Sequence, residues 1–220
     1  MTANKVTKLA QIQAPRITKL TLDENEIAEC DLKSHPALRV LSLNKNKLTS
    51  CKGLSGLSEL EELSLQENET LITLEGLGQL PKMKSLNLTG SKVADLNHIP
   101  DLPCLEQLVL TGNDIKSLDE LPKLKTLKKL SDLSLDGTPL AEEKGEDLKK
   151  EILISLMEDL PMLKKINGDG WDAEFLAEVK NEKAERIKAA EEARKEAEAA
   201  AAAAAANPEA AEGEPKEDAE

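Results

Sequence analysis

Leucine recurs along the first two thirds of the chain at a spacing too tight for a helix and too regular for a loop. Residues 105–115 read LEQLVLTGNDI, with Leu105, Leu108, Leu110 and Ile115 apolar and Gln107, Val109 and Thr111 set between them. Such alternation predicts a short strand with its leucines on one face, closed by a turn at Asn113. A lone strand of this length has nothing to bury itself against. Five other segments repeat the pattern: ITKLTLDENEI from Ile17, LRVLSLNKNKL from Leu38, LEELSLQENET from Leu60, MKSLNLTGSKV from Met83 and LSDLSLDGTPL from Leu130. Their starts lie 21, 22, 23, 22 and 25 residues apart.

Six near-copies at almost constant spacing match the leucine-rich-repeat motif, L-x-x-L-x-L-x-x-N-x-L. The expected fold is α/β: a leucine-rich-repeat solenoid with a concave parallel sheet, a helical C-terminal cap and a charged C-terminal helix. No unit buries its leucines alone, but stacked units share one core. The Asn position (Asn25, Asn46, Asn68, Asn113) falls where the chain leaves the strand. Its amide donates and accepts at once, satisfying backbone groups that would otherwise cost ~1–3 kcal/mol each. Ser91 and Thr138 replace it in two repeats, where a weaker ladder is expected. The intervening segments, such as CKGLSGLSEL and LNHIPDLPCL, mix Leu with Gly and Pro. They predict turns and short 3-10 pieces, with a real helical turn or two in the longest, between Ile115 and Leu130.

The boundaries follow from these patterns. Residues 1–16 form an N-terminal cap, read as a helix ended by Pro15, and residues 17–140 hold the repeats. Residues 141–171 are the C-terminal cap. There Leu148, Ile152, Leu156 and Leu160, widened by Leu153 and Met157, predict an amphipathic helix, and LPMLKKING a degenerate last strand. Residues 172–206 are rich in Ala, Glu, Lys and Arg and predict a charged helix, with Glu182→Arg186 and Glu191→Lys195 at a favourable offset. Trp171, Phe175 and Val179 share one face at its start and would dock on the last repeat or on a partner. Asn207-Pro208 ends it, and residues 207–220 read as a disordered acidic tail.

Charge and composition then remove function classes. The 220 residues carry a net charge of −13, which argues against direct nucleic-acid binding. Trp171 and Phe175 are the aromatic residues, too few to stack bases or sugars. No stretch is long and apolar enough to act as a signal peptide or span a bilayer, so a reducing intracellular compartment and no membrane partner are expected. His35 and His98 lie in turn segments of non-adjacent repeats, too sparse for a metal site or a triad. Cys30 and Cys51 each fall five residues after a repeat Asn, so they stack in the core as small hydrophobes, with Cys104 partly exposed. The expectation is a protein with no catalytic activity and no cofactor.

What remains is the outward face of the sheet. One column of side chains runs Lys19, Val40, Glu62, Ser85, Gln107, Asp132; the central column runs Thr21, Ser42, Ser64, Asn87, Val109, Ser134; the next runs Asp23, Asn44, Gln66, Thr89, Thr111, Asp136. Small, mostly uncharged side chains line the middle, a floor that lets a partner helix or extended segment approach closely.

Residues 17–171 resemble the 22-residue class of leucine-rich-repeat proteins. SHPALRVLSLNKNKL, LPKLKTLKKLSDLSLDGTPL, the cap LMEDLPMLKKI and the Glu/Lys/Arg/Ala helix look most like the leucine-rich-repeat protein of the ciliary radial spoke. That resemblance implies a non-enzymatic axonemal component in the cilium or flagellum that ties radial-spoke subunits together. LNLTGSKVADL and LPMLKKINGDG are similar to the acidic leucine-rich nuclear phosphoproteins, which implies a nuclear phosphatase inhibitor or histone-binding regulator. The acidic runs here are only pairs, Glu191-Glu192 and Glu217-Asp218, where that family carries a long Asp/Glu tail. The spliceosomal A-prime protein and the leucine-rich dynein light chain share the same architecture.

Overall fold

The computed structural model describes residues 5–9 and 14–206. In chain order come β1 (Lys8–Leu9), β2 (Lys19–Thr21), β3 (Glu29–Cys30), β4 (Val40–Ser42), β5 (Glu62–Ser64), β6 (Ser85–Asn87), β7 (Gln107–Val109) and β8 (Asp132–Ser134). They are followed by α1 (Pro139–Lys144), α2 (Leu148–Leu156), β9 (Lys165–Ile166) and α3 (Ala173–Ala206). One parallel sheet runs β2-β4-β5-β6-β7-β8-β9. Its register places each residue beside its counterpart one repeat later: Leu20, Leu41, Leu63, Leu86, Leu108, Leu133 and Ile166 form one row. From Leu41 onward that row is buried, as are the following leucines Leu43, Leu65, Leu88, Leu110 and Leu135. At ~1.5–3 kcal/mol for each fully buried Leu, this shared aliphatic core is what makes such short strands persist.

The asparagines hold the stack together where the chain turns. The Asn46 amide donates to the carbonyls of Leu22 and Leu43, both at 3.0 Å, and its oxygen accepts from Ile27 N–H at 3.0 Å. Asn113 does the same with Leu88 (2.8 Å), Leu110 (2.9 Å) and Val93 N–H (3.1 Å). One side chain thus satisfies backbone groups in two consecutive coils. The residue before the Asn is left-handed in every repeat: Glu24, Lys45 and Glu67 at φ 57, 53 and 53°, then Gly90, Gly112 and Gly137 at 69, 68 and 63°. The last three repeats meet that requirement with Gly; the first three hold a charged residue at a cost of ~1–2 kcal/mol.

Ser91 manages one ladder bond, to the Leu65 carbonyl at 3.1 Å. It has no carbonyl oxygen to accept from the repeat before it, and that repeat is built differently. Leu71, rather than the Thr70 of the aligned motif, is buried there, and its N–H turns back to the Asn68 carbonyl at 2.9 Å. Thr138 serves a second purpose. Its hydroxyl donates to the Leu135 carbonyl at 2.7 Å and accepts from Ala141 N–H at 3.2 Å, capping α1 with Pro139 in its first turn.

The C-terminal cap buries Leu148, Ile152, Leu153 and Leu156 of α2. That helix ends a turn short of Leu160, which is still buried. The degenerate last strand is β9, paired with β8. Between Leu118 and Thr126 the chain forms a 3-10 helix capped by Ser117. The N-terminal end departs from expectation: residues 5–9 are extended, not helical, and β1 pairs with β3. Val6 N–H donates to the Asn25 side-chain oxygen at 3.4 Å and Val6 C=O accepts from Glu26 at 3.0 Å. Ile27 bonds Asn46 and Lys47 in the same way, so Val6 occupies the Ile27 position. The cap begins as a half-repeat, with β1 beside β3 and no described strand beside β2. Residues 1–4 and 10–13 of the expected helix lie outside the described residues, as does the acidic tail. The second compact unit, which contains α3, carries an Arg186–Glu182 pair at 2.5 Å and an Arg194–Glu198 pair at 3.0 Å.

His35 is more than a turn residue. It is fully buried, three residues before Leu38, where later repeats place Leu57, Leu80, Leu102, Leu127 and Leu160 before their own strands. Its Nδ1 lies 3.3 Å from the Leu32 carbonyl, and its Nε2 has no partner. That carbonyl also accepts from His35 N–H at 3.0 Å, so it loses little if the ring is removed. His35→Leu should therefore raise stability by ~1–2 kcal/mol in urea unfolding, since an orphaned buried polar atom is eliminated. In the same assay Asn113→Ala should cost ~1–3 kcal/mol and Ser91→Ala less than ~1 kcal/mol, because Val93 N–H loses its acceptor in the first case while the Leu65 carbonyl keeps its bond from Asn68 in the second.

Candidate functional site

Side chains between the inward leucines point outward, because successive residues of a strand alternate faces. Over β2, β4, β5 and β6 this face encloses a shallow depression of about 350 Å³. Nine of the outward residues named above line it: Lys19, Thr21, Asp23, Val40, Ser42, Glu62, Ser64, Ser85 and Asn87. Asn44, Gln66, Thr89, Gln107, Val109, Thr111, Asp132, Ser134 and Asp136 lie on the same strands or in the turns that follow them, outside that lining. Val109 is half-buried and Asp136 exposed.

An ordered network runs along the sheet there, joining Asp23, Ser42 and Ser64 of the lining to Asn44 and Gln66 beside it. Gln66 Nε2 donates to the Ser64 hydroxyl at 3.1 Å, and that hydroxyl donates to Asn44 Oδ1 at 2.7 Å. Asn44 Nδ2 donates to the Ser42 hydroxyl at 3.0 Å, which donates in turn to Asp23 Oδ1 at 2.6 Å. The backbone N–H groups of Asn44 and Gln66 add bonds at 2.8 Å to Asp23 and Asn44. Every donor points the same way, toward the Asp23 carboxylate, which can only accept when ionised. Sequence reasoning named these residues as separate members of columns and missed their connection. The available signal was Ser or Asn at the two outward positions of consecutive repeats. Past Gln66 the ladder breaks: Asn87 Oδ1 accepts instead from Thr89 of its own repeat, at 2.8 and 3.0 Å.

The rim is charged and paired. Glu61 stands between Arg39 (3.6 Å) and Lys84 (2.7 Å), and Lys45 pairs with Glu24 at 3.6 Å. The hydrogen bond from Lys84, then its charge, holds the Glu61 carboxyl below the usual range, and the same bond holds Lys84 above its own. These groups are exposed, so the pairs contribute more to orientation than to stability. Among the described residues no group of three His, Cys, Asp or Glu is placed to hold a metal ion.

A hollow of about 440 Å³ lies between the first two repeats and is lined by Cys30, Asp31, Thr49 and Lys52 among others. It offers no reactive thiol. Burial, then the charge of Asp31, pushes Cys30 up to about 11; burial, then Cys30 itself, pushes Cys51 up to about 12. Both remain thiols at neutral pH, the inert form. Cys104 is half-exposed with its Sγ 3.6 Å from Lys129 Nζ. Iodoacetamide at pH 8 should label Cys104 in the folded chain and spare Cys30 and Cys51 until urea is added, as mass spectrometry would show. The raised thiols also set a sign. Their contribution is complete below the unfolded value of about 8.5 and is lost as pH rises toward 11 and 12.

No family model matches the chain, and no curated protein matches it. Among solved structures it is similar to a chain of the Drosophila melanogaster SNF/U2A' complex, with 22% identity and a TM-score of 0.48 over 57% of this chain and 69% of that one. It is similar to the functional domain of InlJ from Listeria monocytogenes, described as including a cysteine ladder, with 17% identity and a TM-score of 0.40 over 73% of this chain and 42% of that one. A Listeria monocytogenes internalin, inlF, shares 20% identity at a TM-score of 0.36, over 68% of this chain and 60% of the other. The chain thus spans less than two thirds of either Listeria protein. By its own repeats, register and asparagine ladder, the chain is a leucine-rich-repeat solenoid.

Proposed function

We propose that the protein is a non-catalytic scaffold that docks a partner protein segment on the outward face of its sheet. The depression over β2, β4, β5 and β6 carries this reading, because it is a concave surface whose small side chains Ser42 and Ser64 are already held by hydrogen bonds, to Asp23 and to Asn44. Such a floor needs little ordering when a partner arrives, which lowers the entropic cost of association. It presents no aromatic or Arg anchor at its centre, so the anchoring side chains come from the partner.

The resemblance to the radial-spoke leucine-rich-repeat protein favours an axonemal role, with radial-spoke subunits as partners. The resemblance of LNLTGSKVADL and LPMLKKINGDG to the acidic nuclear phosphoproteins favours a nuclear adaptor instead. Fractionation separates these readings: the first requires the protein in salt-extracted axonemes together with spoke subunits, and recovery wholly in nuclei would end it.

The docking face is tested by substitution. Ser64→Arg within the depression and Val109→Arg beyond it should each reduce recovery of co-purifying proteins about tenfold or more, the effect of ~1.4 kcal/mol. Both side chains point outward, so thermal unfolding should remain cooperative. Recovery equal to that of the unsubstituted chain would place the site elsewhere.

A further inference from the structure

The outward face is not uniform in the hydrogen bonds it has left to make. Every strand from β4 to β8 has a described neighbour on both sides, so the bonds among its outward side chains can be traced. From Gln66 to Asp23 the polar groups answer one another. Over β6 and β7 they do not. Asn87 Oδ1 accepts from the Thr89 N–H and hydroxyl at 3.0 and 2.8 Å, and Gln107 Oε1 accepts from the Ser85 hydroxyl at 3.1 Å. Both amides are oriented by these bonds, and neither NH₂ group has an acceptor among the described residues. Two placed donors on adjacent strands are left for oxygens from outside the chain.

The charges divide in the same way. Arg39, Lys45 and Lys84 border the outward columns from β4 to β8, and each is already paired: Arg39 and Lys84 with Glu61, Lys45 with Glu24. Within those columns the carboxylates Glu62, Asp132 and Asp136 have no ion pair among the described residues. Lys165 stands beside Asp132 in register but makes no ion pair with it. The charge left unanswered on this face is therefore negative. Glu62 and Asp132 share a column three strands apart, about 14–15 Å at the usual strand spacing. Residues i and i+4 of an extended chain lie about 13 Å apart and on one face. In a helix the same pair is only about 6 Å apart. A helix in a groove also needs an apolar surface to receive its own, and Val40 and Val109 are the apolar residues in these columns.

On the docking reading above, we infer that the partner segment received over β5–β8 is extended and basic. Its main-chain carbonyls meet the Asn87 and Gln107 amides, and two Lys or Arg side chains four residues apart meet Glu62 and Asp132. The two kinds of contact do different work. Amide donors aimed at main-chain carbonyls accept any sequence, whereas the paired carboxylates select for cations and reject an acidic segment. The bonds they form are charge-assisted, the stronger class.

The probes are two synthetic, end-blocked peptides, TKTVTKT and TETVTET, each added to the ¹⁵N-labelled full chain. TKTVTKT should shift the side-chain NH₂ signals of Asn87 and Gln107, and its binding should weaken as salt rises. TETVTET should leave them unmoved. The double variant Glu62→Lys, Asp132→Lys should weaken binding of TKTVTKT about tenfold or more and take up TETVTET instead. Asn87→Ala with Gln107→Ala should weaken it too, with its salt dependence retained. No binding of TKTVTKT, equal binding of TETVTET to the unsubstituted chain, or indifference to the charge reversal would overturn the proposal. If that happens while Ser64→Arg and Val109→Arg still cut partner recovery, the docking face stands and its partner has another chemistry.

Discussion

Each coil of this protein is folded only because the next one lies against it. A three-residue strand has no interior, and a coil of about 22 residues buries little by itself. What makes stacking obligatory rather than merely favourable is the backbone at the turn after each strand. Its carbonyls and N–H groups face inward, away from water, and one asparagine amide answers groups from two coils at once. Leucine rows supply most of the free energy, but the asparagines fix the register in which those rows meet. The parallel order of the sheet, the alignment of its outward columns and the flat floor between them all follow from that register.

The same repetition explains the character of the outward face. Because identical positions stack, a serine or asparagine in one repeat meets its equivalent in the next, and hydrogen bonds pass along the sheet from Gln66 to Asp23. The network ends on a carboxylate, which gives it a direction. A partner docked there, as proposed, would meet Ser42, Ser64 and Asp23 already hydrogen-bonded. Discrimination among such partners would then rest on shape and on the charged rim, where Glu61 is held between Arg39 and Lys84.

Much of this architecture was legible in the sequence, for a physical reason: a solenoid repeats its burial pattern, so each Leu is predicted several times over. The outward columns were legible for the same reason, and the observed register aligns them. Features that occur once were harder to see. Val6 and Leu9 do not spell a repeat, because among the described residues the half-repeat has no strand beside β2 to carry the motif. Leu71 was hidden by a one-residue insertion behind Asn68. His35 could have been found by aligning the segments before each strand, where it alone interrupts a run of leucines. The hydrogen-bonded floor was not readable, since it depends on side-chain rotamers and not on residue types alone.

Ser91 gives the stack an unequal seam. In a chain whose repeats touch only their neighbours, local weakness stays local, and between the third and fourth repeats the side-chain ladder falls to a single hydroxyl beside an insertion, leaving the β5–β6 backbone bonds to join them. Parting there would leave two blocks, one ended by the half-repeat and the other by the helical cap. The depression crosses this junction, with Glu62 and Ser64 on one side and Ser85 and Asn87 on the other. A segment seated in it would span that junction, a splint as well as a ligand.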